Sequence, residues 1–97
     1  MIADADFFRL FDACAVLAKT PNNPPIPAGS LDDLLPSLNV DSLDTIIIGM
    51  YMCDIFGVPE EVGKTMQVRS VGDLKAFLLA NATVKSIDVD KVIENLK

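Results

Sequence analysis

The stretch that decides the fold of this chain spans residues 41–57 and reads DSLDTIIIGMYMCDIFG. Asp41 or Ser42 can accept bonds from the first free backbone N–H groups of a helix, and Gly57 is of the type at which helices commonly end. The sequence therefore predicts a helix from Ser42 to about Phe56, with apolar side chains on nearly every side.

Four further helices are predicted around this one. Apolar residues recur every three or four positions from Ala3 to Lys19, and a proline two positions later ends that first helix. The prolines and asparagines of residues 20–29 predict a long extended loop. A brief third helix is predicted at Val58–Val62, a fourth at about Val71–Ala80 and a fifth at about Asp88–Leu96.

The predicted fold class is all-α, because no stretch alternates apolar and polar residues over the length of a strand. Ser30–Asp33 has the pattern of a helix start, but Pro36 leaves room for at most a single turn, so this segment is predicted as loop. The fifth helix carries an apolar stripe that can pack on or beside the rest of the chain. We therefore expect one domain over residues 1–81 and a C-terminal helical extension over residues 82–97.

Composition excludes several classes of function. The chain has 97 residues and a formal net charge of −6, so it would repel a phosphate backbone, and nucleic acid is not an expected partner. It contains no histidine, which removes the commonest general base and the histidine-containing zinc sites. The two cysteines cannot supply a four-cysteine zinc site, so no metal site is predicted.

Several features predict a cytoplasmic protein. Cys14 and Cys53 lie far apart in apolar stretches, which favours two buried thiols in a reducing compartment over a disulfide. The acidic N-terminal residues do not have the pattern of a secretory signal. The longest strongly apolar stretch, Thr45 to Cys53, holds nine uncharged residues, whereas a spanning helix needs about twenty, so no membrane insertion is expected.

Ser42 is the candidate functional residue, because it stands at the start of a helix directly after a long loop. Its hydroxyl is predicted to be exposed beside unpaired N–H groups at the positive end of the helix dipole. Free phosphates bind to the same kind of donor at helix N-termini. The position therefore suits a serine that carries a phosphodiester.

Here the sequence resembles the acyl carrier protein family, also called thiolation or phosphopantetheine-attachment domains. The family signature is an Asp-Ser-Leu triplet at the head of the second helix, matched here by Asp41-Ser42-Leu43. The likeness extends over about residues 30–79, with Leu38 before the serine, Phe56 near the end of the second helix and Ser70-Val71 at the start of the last helix of the bundle. It implies a four-helix bundle with a long loop between its first two helices, to which this chain adds a C-terminal helix.

The resemblance implies a function that is not enzymatic. A phosphopantetheinyl transferase, with Mg²⁺ in its own active site, uses coenzyme A to attach 4′-phosphopantetheine to Ser42. The arm then holds acyl intermediates as thioesters, which acyl-transferring or condensing enzymes use. We expect a stand-alone, monomeric, bacterial carrier of a specialised lipid or polyketide-type pathway.

Three neighbours of the serine have roles implied by the resemblance. Asp41 corresponds to the family acid that helps the transferase bind and orient its metal, and it can equally form a local turn before the helix. Leu43 would face partly toward the arm or the core. Asp44 is a candidate contact for basic patches on partner enzymes, and an acid in a first helical turn is also favoured by the dipole.

The second helix departs from the family pattern, which has acidic residues on the outer face. Carried over position by position, that pattern places six residues in the core: Leu43, Ile46, Ile48, Gly49, Met52 and Phe56. It turns Ile47, Met50 and Cys53 outward. A helix that is apolar on every side must be covered by something, either the C-terminal stripe or a partner surface that contacts Ile47, Met50 and Tyr51.

A second interpretation belongs to another class. In this interpretation the chain is a non-catalytic interaction module, a small acidic helical bundle that binds a partner through its apolar second helix. Ser42 would then only cap that helix.

Overall fold

The computed structural model describes residues 2–96, which form helices joined by loops, with no β-strand in that range. The all-α prediction is confirmed, and each predicted helix begins and ends within two residues of its observed bounds. A one-turn 3₁₀ helix at Leu35–Leu38 lies in the connection between the first two α-helices. The helices are α1 (Asp4–Ala18), α2 (Ser42–Phe56), α3 (Glu60–Gly63), α4 (Val71–Asn81) and α5 (Val89–Leu96).

The ends of the helices follow the capping residues in the sequence. Asp41 is the N-cap of α2, and Gly57 follows its last residue with φ +71°, a left-handed conformation that glycine adopts without steric cost. Ser70 caps α4 by accepting a hydrogen bond from the Asp73 amide at 3.0 Å. Local sequence therefore sets where these two helices start.

The long connection between α1 and α2 is held in place by hydrogen bonds. The Ala28 amide donates to the Asp12 carboxylate of α1 at 2.9 Å, and the Ile26 amide donates to the Leu38 carbonyl at 3.0 Å. The Asn39 side chain donates to Asn23 and to the carbonyl of Pro24. The loop that leads to α2 is therefore tied to α1 and cross-linked within itself.

The segment before the 3₁₀ helix is a turn rather than the start of a helix. The Asp33 carboxylate accepts hydrogen bonds from the amides of Gly29 and Ser30, so it closes a local turn. Pro36 then stands in the first turn of the 3₁₀ helix, where its missing N–H leaves no bond unmade. The predicted loop with a short turn is confirmed.

The core lies where α1, α2 and α4 meet. The rings of Phe7 and Phe56 pack edge to face with centroids 6.1 Å apart, joining α1 to α2. Leu74 and Leu78 of α4 close the core from another side. The predicted core positions Ile48, Gly49, Met52 and Phe56 of α2 are buried.

The C-terminal helix α5 packs against α1. Val89 is buried, and Val92, Ile93 and Leu96 are partly buried against the core cluster. An ion pair between Arg9 and Asp90 joins the same two helices at the surface. The tail therefore does not cover the outer face of α2, where Met50 is 69% exposed with α5 in place.

None of the helices within residues 2–96 is both long enough and apolar enough to cross a bilayer.

Candidate functional site

Ser42 is the first residue of α2, and its side chain is exposed. It follows a loop that is braced against the bundle and precedes a helix whose other end is buried at Phe56. The hydroxyl therefore stands on a rigid element and is open to an approaching enzyme.

A capping box holds the backbone on both sides of Ser42. The Asp44 amide donates to Asp41 Oδ1 at 2.8 Å, and the Asp41 amide donates to Asp44 Oδ2 at 3.2 Å. The Thr45 hydroxyl donates to the Asp41 carbonyl at 2.8 Å. These bonds fix the N-cap residue and the first turn, so Ser42 has a defined backbone conformation.

Two backbone donors beside the serine have no acceptor. Within the described part of the chain, the amides of Ser42 and Leu43 make no hydrogen bond. They belong to the first turn, where a helix always leaves amides unpaired, and the helix dipole adds positive potential there. An anionic group attached to the Ser42 oxygen would meet these two donors without displacing another bond.

Asp44 is not available to a partner, contrary to the sequence-based expectation. Its side chain is 9% exposed and forms an ion pair with Lys19, whose Nζ lies 2.7 Å from Asp44 Oδ2. Lys19 follows the last residue of α1 and is itself 6% exposed. The acid turns inward because the end of α1 brings a cation beside it.

The ion pair changes the titration of Asp44. The hydrogen bond from Lys19 is the largest cause, and it holds the pKa of the Asp44 carboxyl below its ordinary value near 3.8. Burial acts in the opposite direction and is the smaller influence. Asp44 is therefore ionised throughout the neutral range and neutralised by an internal partner.

An apolar face of α2 is left open. Leu43 and Ile46, which were expected in the core, are 65% and 58% exposed, because α1 and α4 cover the opposite side of the helix. Met50 is 69% and Tyr51 39% exposed, and Ile47 is half-buried beside them. We call this the α2 face and define it as Leu43, Ile46, Ile47, Met50 and Tyr51.

Cys53 is buried, although the family pattern predicted that it faces outward. Its Sγ atom packs closely against Gly63 of α3, where a β-carbon would lie 3.3 Å from the sulfur. The short α3 helix therefore covers this part of α2. Both cysteines are free thiols and buried, as the sequence predicted.

A groove of about 610 Å³ runs between α2 and α3 beside the α2 face. Its apolar wall includes Ile46, one helical turn after Ser42, and Met50. Gly49 forms part of the floor, and the methyl group of Met66 occupies the place where a β-carbon of residue 49 would stand. Asp54, Glu60 and Lys64 also line the groove. The volume falls within the range of small-molecule pockets.

The sequence analysis predicted neither Lys19 nor the groove residues Glu60, Lys64 and Met66 as part of this site. A lysine at the end of a helix is ordinary, since it interacts favourably with the helix dipole. No motif links it to a residue in another helix far along the chain. Its role became visible only when the ends of α1 and α2 were seen side by side.

No group of three or more cysteine, aspartate or glutamate side chains among residues 2–96 is arranged to hold a metal ion.

No protein-family model, curated protein or solved structure matches this chain.

Proposed function

We propose that this protein is an acyl carrier protein, modified with 4′-phosphopantetheine on Ser42. The observation that carries the proposal is an exposed serine at the first position of a core helix, beside two unpaired backbone amides. The proposed fold is the carrier-type four-helix bundle, formed by α1 to α4, with α5 added. We further propose that the chain is a monomer and catalyses no reaction itself.

The residues around Ser42 fit the phosphodiester end of such an arm. The free amides of Ser42 and Leu43 would donate to its phosphate oxygens. Asp41 uses Oδ1 to cap the helix, and as an exposed residue it keeps its second oxygen for the Mg²⁺ ion of a transferase. Once attached, the arm supplies a terminal thiol that holds acyl groups as thioesters.

The groove between α2 and α3 supports a role in holding apolar acyl groups. Its lining includes Ile46, about one helical turn of 5.4 Å from Ser42, so an arm on the serine reaches it readily. Its mixed lining suits an acyl chain with an apolar body and a polar substituent. A specialised lipid or polyketide-type pathway would use such intermediates.

The α2 face is the proposed contact for the transferase and for acyl-transferring or condensing enzymes. Acidic steering by Asp44 is replaced by apolar contact through Met50, Tyr51 and Ile47, since Asp44 is paired internally. Exposed acids at Asp54 and Glu60 border the same region and would favour a partner with basic residues at its rim. A second copy of this acidic chain would meet like charges there, which favours a different protein as partner.

The decisive experiment is modification in vitro. The purified protein is incubated with coenzyme A, Mg²⁺ and a broad-specificity phosphopantetheinyl transferase, and its intact mass is measured. We expect one added phosphopantetheine, and its loss in Ser42→Ala. Ser37→Ala, which removes another exposed serine in the same loop region, is the matched control and should be modified like the wild type. An unmodified wild type with several transferases contradicts the proposal.

The second candidate function is a non-catalytic interaction module, and the exposed α2 face favours it. Five neighbouring apolar side chains on one helix form a surface that soluble monomers rarely leave open. In this case Met50→Glu would abolish binding of a partner while Ser42→Ala would not change it. Ser42→Ala therefore separates the two functions, because it abolishes modification of a carrier and leaves partner binding by an interaction module unchanged.

A further inference from the structure

We propose that Lys19 is a positioning residue for the Ser42 site, an inference that rests on the proposed carrier function. Lys19 does not touch the serine. It holds the Asp44 carboxylate against the amide of Asp41, the residue immediately before Ser42. Through that contact it keeps the head of α2 in the conformation that presents the hydroxyl.

The geometry of the Asp44 carboxylate carries the proposal. Oδ2 accepts from Lys19 Nζ at 2.7 Å and from the Asp41 amide at 3.2 Å, so one oxygen receives both bonds. The lysine therefore orients the oxygen that completes the capping box. In a capping box without such a partner, water competes for the carboxylate, and the side chain can rotate away from the N-cap amide.

The Lys19–Asp44 pair differs from the other ion pairs in its position and burial. The C-terminal end of α1 and the N-terminal end of α2 meet here, and each charged side chain lies at the helix end whose dipole favours it. Both side chains are at least nine-tenths buried. The other ion pairs among residues 2–96 have at least one largely exposed partner.

Loss of Lys19 would leave Asp44 with a single backbone donor in a buried position. The carboxylate must then take up a proton or turn toward water, and either change weakens its bond to the Asp41 amide. The N-cap backbone next to Ser42 becomes mobile. Because the α2 face from Ile46 to Tyr51 lies beyond the first turn of the helix, the expected loss is in the reaction at Ser42 rather than in docking.

The test is steady-state kinetics of phosphopantetheine transfer to wild type, Lys19→Met, Lys19→Arg and Lys75→Met. The reaction forms the bond from Ser42 Oγ to phosphorus and breaks the pyrophosphate bond of coenzyme A. Adenosine 3′,5′-bisphosphate leaves, and the serine proton passes to a base of the transferase. Lys75→Met is the matched control, because it removes a partly buried lysine that pairs with Asp4 of α1.

We expect Lys19→Met to lower kcat about tenfold or more with little change in KM. Lys19→Arg keeps the charge and should recover most of the rate, and Lys75→Met should match the wild type. A purely structural role gives another pattern: partial unfolding lowers the concentration of competent protein, which raises apparent KM and leaves kcat unchanged. That pattern, or an unchanged kcat in folded Lys19→Met, overturns the proposal.

A second variant covers failure of Lys19→Met to fold. Lys19→Met/Asp44→Asn removes both charges, so no buried charge is left unpaired, and it keeps a side-chain oxygen at residue 44 that can still accept from the Asp41 amide. Amide hydrogen exchange should then show faster exchange at Asp41, while the amides of α4 exchange as in the wild type. Unchanged protection at Asp41 overturns the proposal.

Failure of the proposed function gives a different result. If the wild type accepts no phosphopantetheine from any transferase, the carrier function fails. The exchange measurement still decides whether Lys19 orders the head of α2.

Discussion

The helices α2 and α5 use their apolar side chains in different ways. The apolar residues of α5 form a single stripe that packs against α1, and the opposite side of the helix is polar. In α2 apolar residues stand on nearly every side, yet only the sides that face α1, α3 and α4 are buried. A stripe matches the internal contact that a helix makes, whereas apolar residues beyond the stripe remain exposed on the surface.

The comparison also concerns the charges on the two helices. On α5 the ion pair of Asp90 with Arg9 lies at the surface, where water screens it. On α2 the ion pair of Asp44 with Lys19 lies inside the protein. The helix with the more open apolar face thus has its charged head fixed from within.

The largest expected loss of stability follows from breaking the internal ion pair of α2. Lys19→Met should lower the free energy of unfolding by about 2–4 kcal/mol, because it leaves a buried carboxylate without its cation. Urea unfolding followed by circular dichroism measures the change. Asp90→Asn on α5 is the control and should have a much smaller effect. Similar losses in both variants would contradict the contrast between an internal and a surface ion pair.

The next largest difference is expected between apolar substitutions on α5 and on the α2 face, measured as the loss in free energy of unfolding. Val89→Ser on α5 should lower the free energy of unfolding by about 2 kcal/mol, because Val89 is buried against the core. Met50→Ser on the α2 face should change it by less than about 0.5 kcal/mol, because that side chain is largely exposed. Thermal unfolding of the two variants provides the measurement. A large loss in Met50→Ser would mean that the α2 face is covered within the chain.

Substitutions on the α2 face, which should hardly change stability, should have the larger effect on partner binding. We expect Met50→Glu to raise the KM of the transferase reaction about tenfold, since it places a charge in the centre of the proposed apolar contact. Val16→Glu introduces the same charge at an exposed valine of α1 and should leave KM unchanged. Equal KM values for both variants would remove the α2 face as the docking surface.

A smaller change in the free energy of unfolding is expected when the Asp44–Lys19 ion pair is titrated at acidic pH. The lowered pKa of Asp44 means that the folded protein binds this proton more weakly than the unfolded chain does. The pair therefore stabilises the fold above about pH 4, near the ordinary pKa, and that contribution is lost as the pH falls through the lowered value. Asp44→Asn should be less stable than the wild type at pH 7, and the difference should shrink below pH 4. Unfolding by urea at several pH values tests this, and a constant difference would contradict it.

The smallest expected difference is between the alkylation rates of the two buried thiols, Cys14 and Cys53. Burial raises the pKa of Cys14 to about 12 and also raises that of Cys53, so neither thiol is appreciably ionised at pH 8. Iodoacetamide should alkylate both rapidly in urea and both slowly in the folded protein, with Cys53 reacting first because it lines the groove. Mass spectrometry at timed intervals resolves the two sites. Rapid labelling of Cys53 alone would indicate that α3 opens away from α2.

Much of the fold followed from local sequence signals. Proline ended α1, Gly57 ended α2, and Ser70 and Asp41 capped the helices that follow them. These residues act on backbone groups within a few positions of themselves, so their effects are readable without the rest of the molecule. The exposure of Ser42 was predictable for the same reason.

The errors about which apolar residues of α2 are buried have one physical cause. Leu43 and Ile46 were expected inside, and Cys53 outside, from a family pattern of helix faces. The face that a nearly all-apolar helix buries depends on where its neighbours pack, and the residue types do not distinguish the sides. Small residues such as Gly63 then let α3 approach and cover Cys53.

The sequence by itself determined the helices, their ends and an exposed serine at the head of α2, because these depend on interactions between near neighbours in the chain. Only the tertiary structure decided that Asp44 turns inward to Lys19 and that α5 packs on α1 while the α2 face stays open. Those outcomes depend on which helix ends and faces meet in space. That meeting is set by packing of the whole core and has no local signature in the chain.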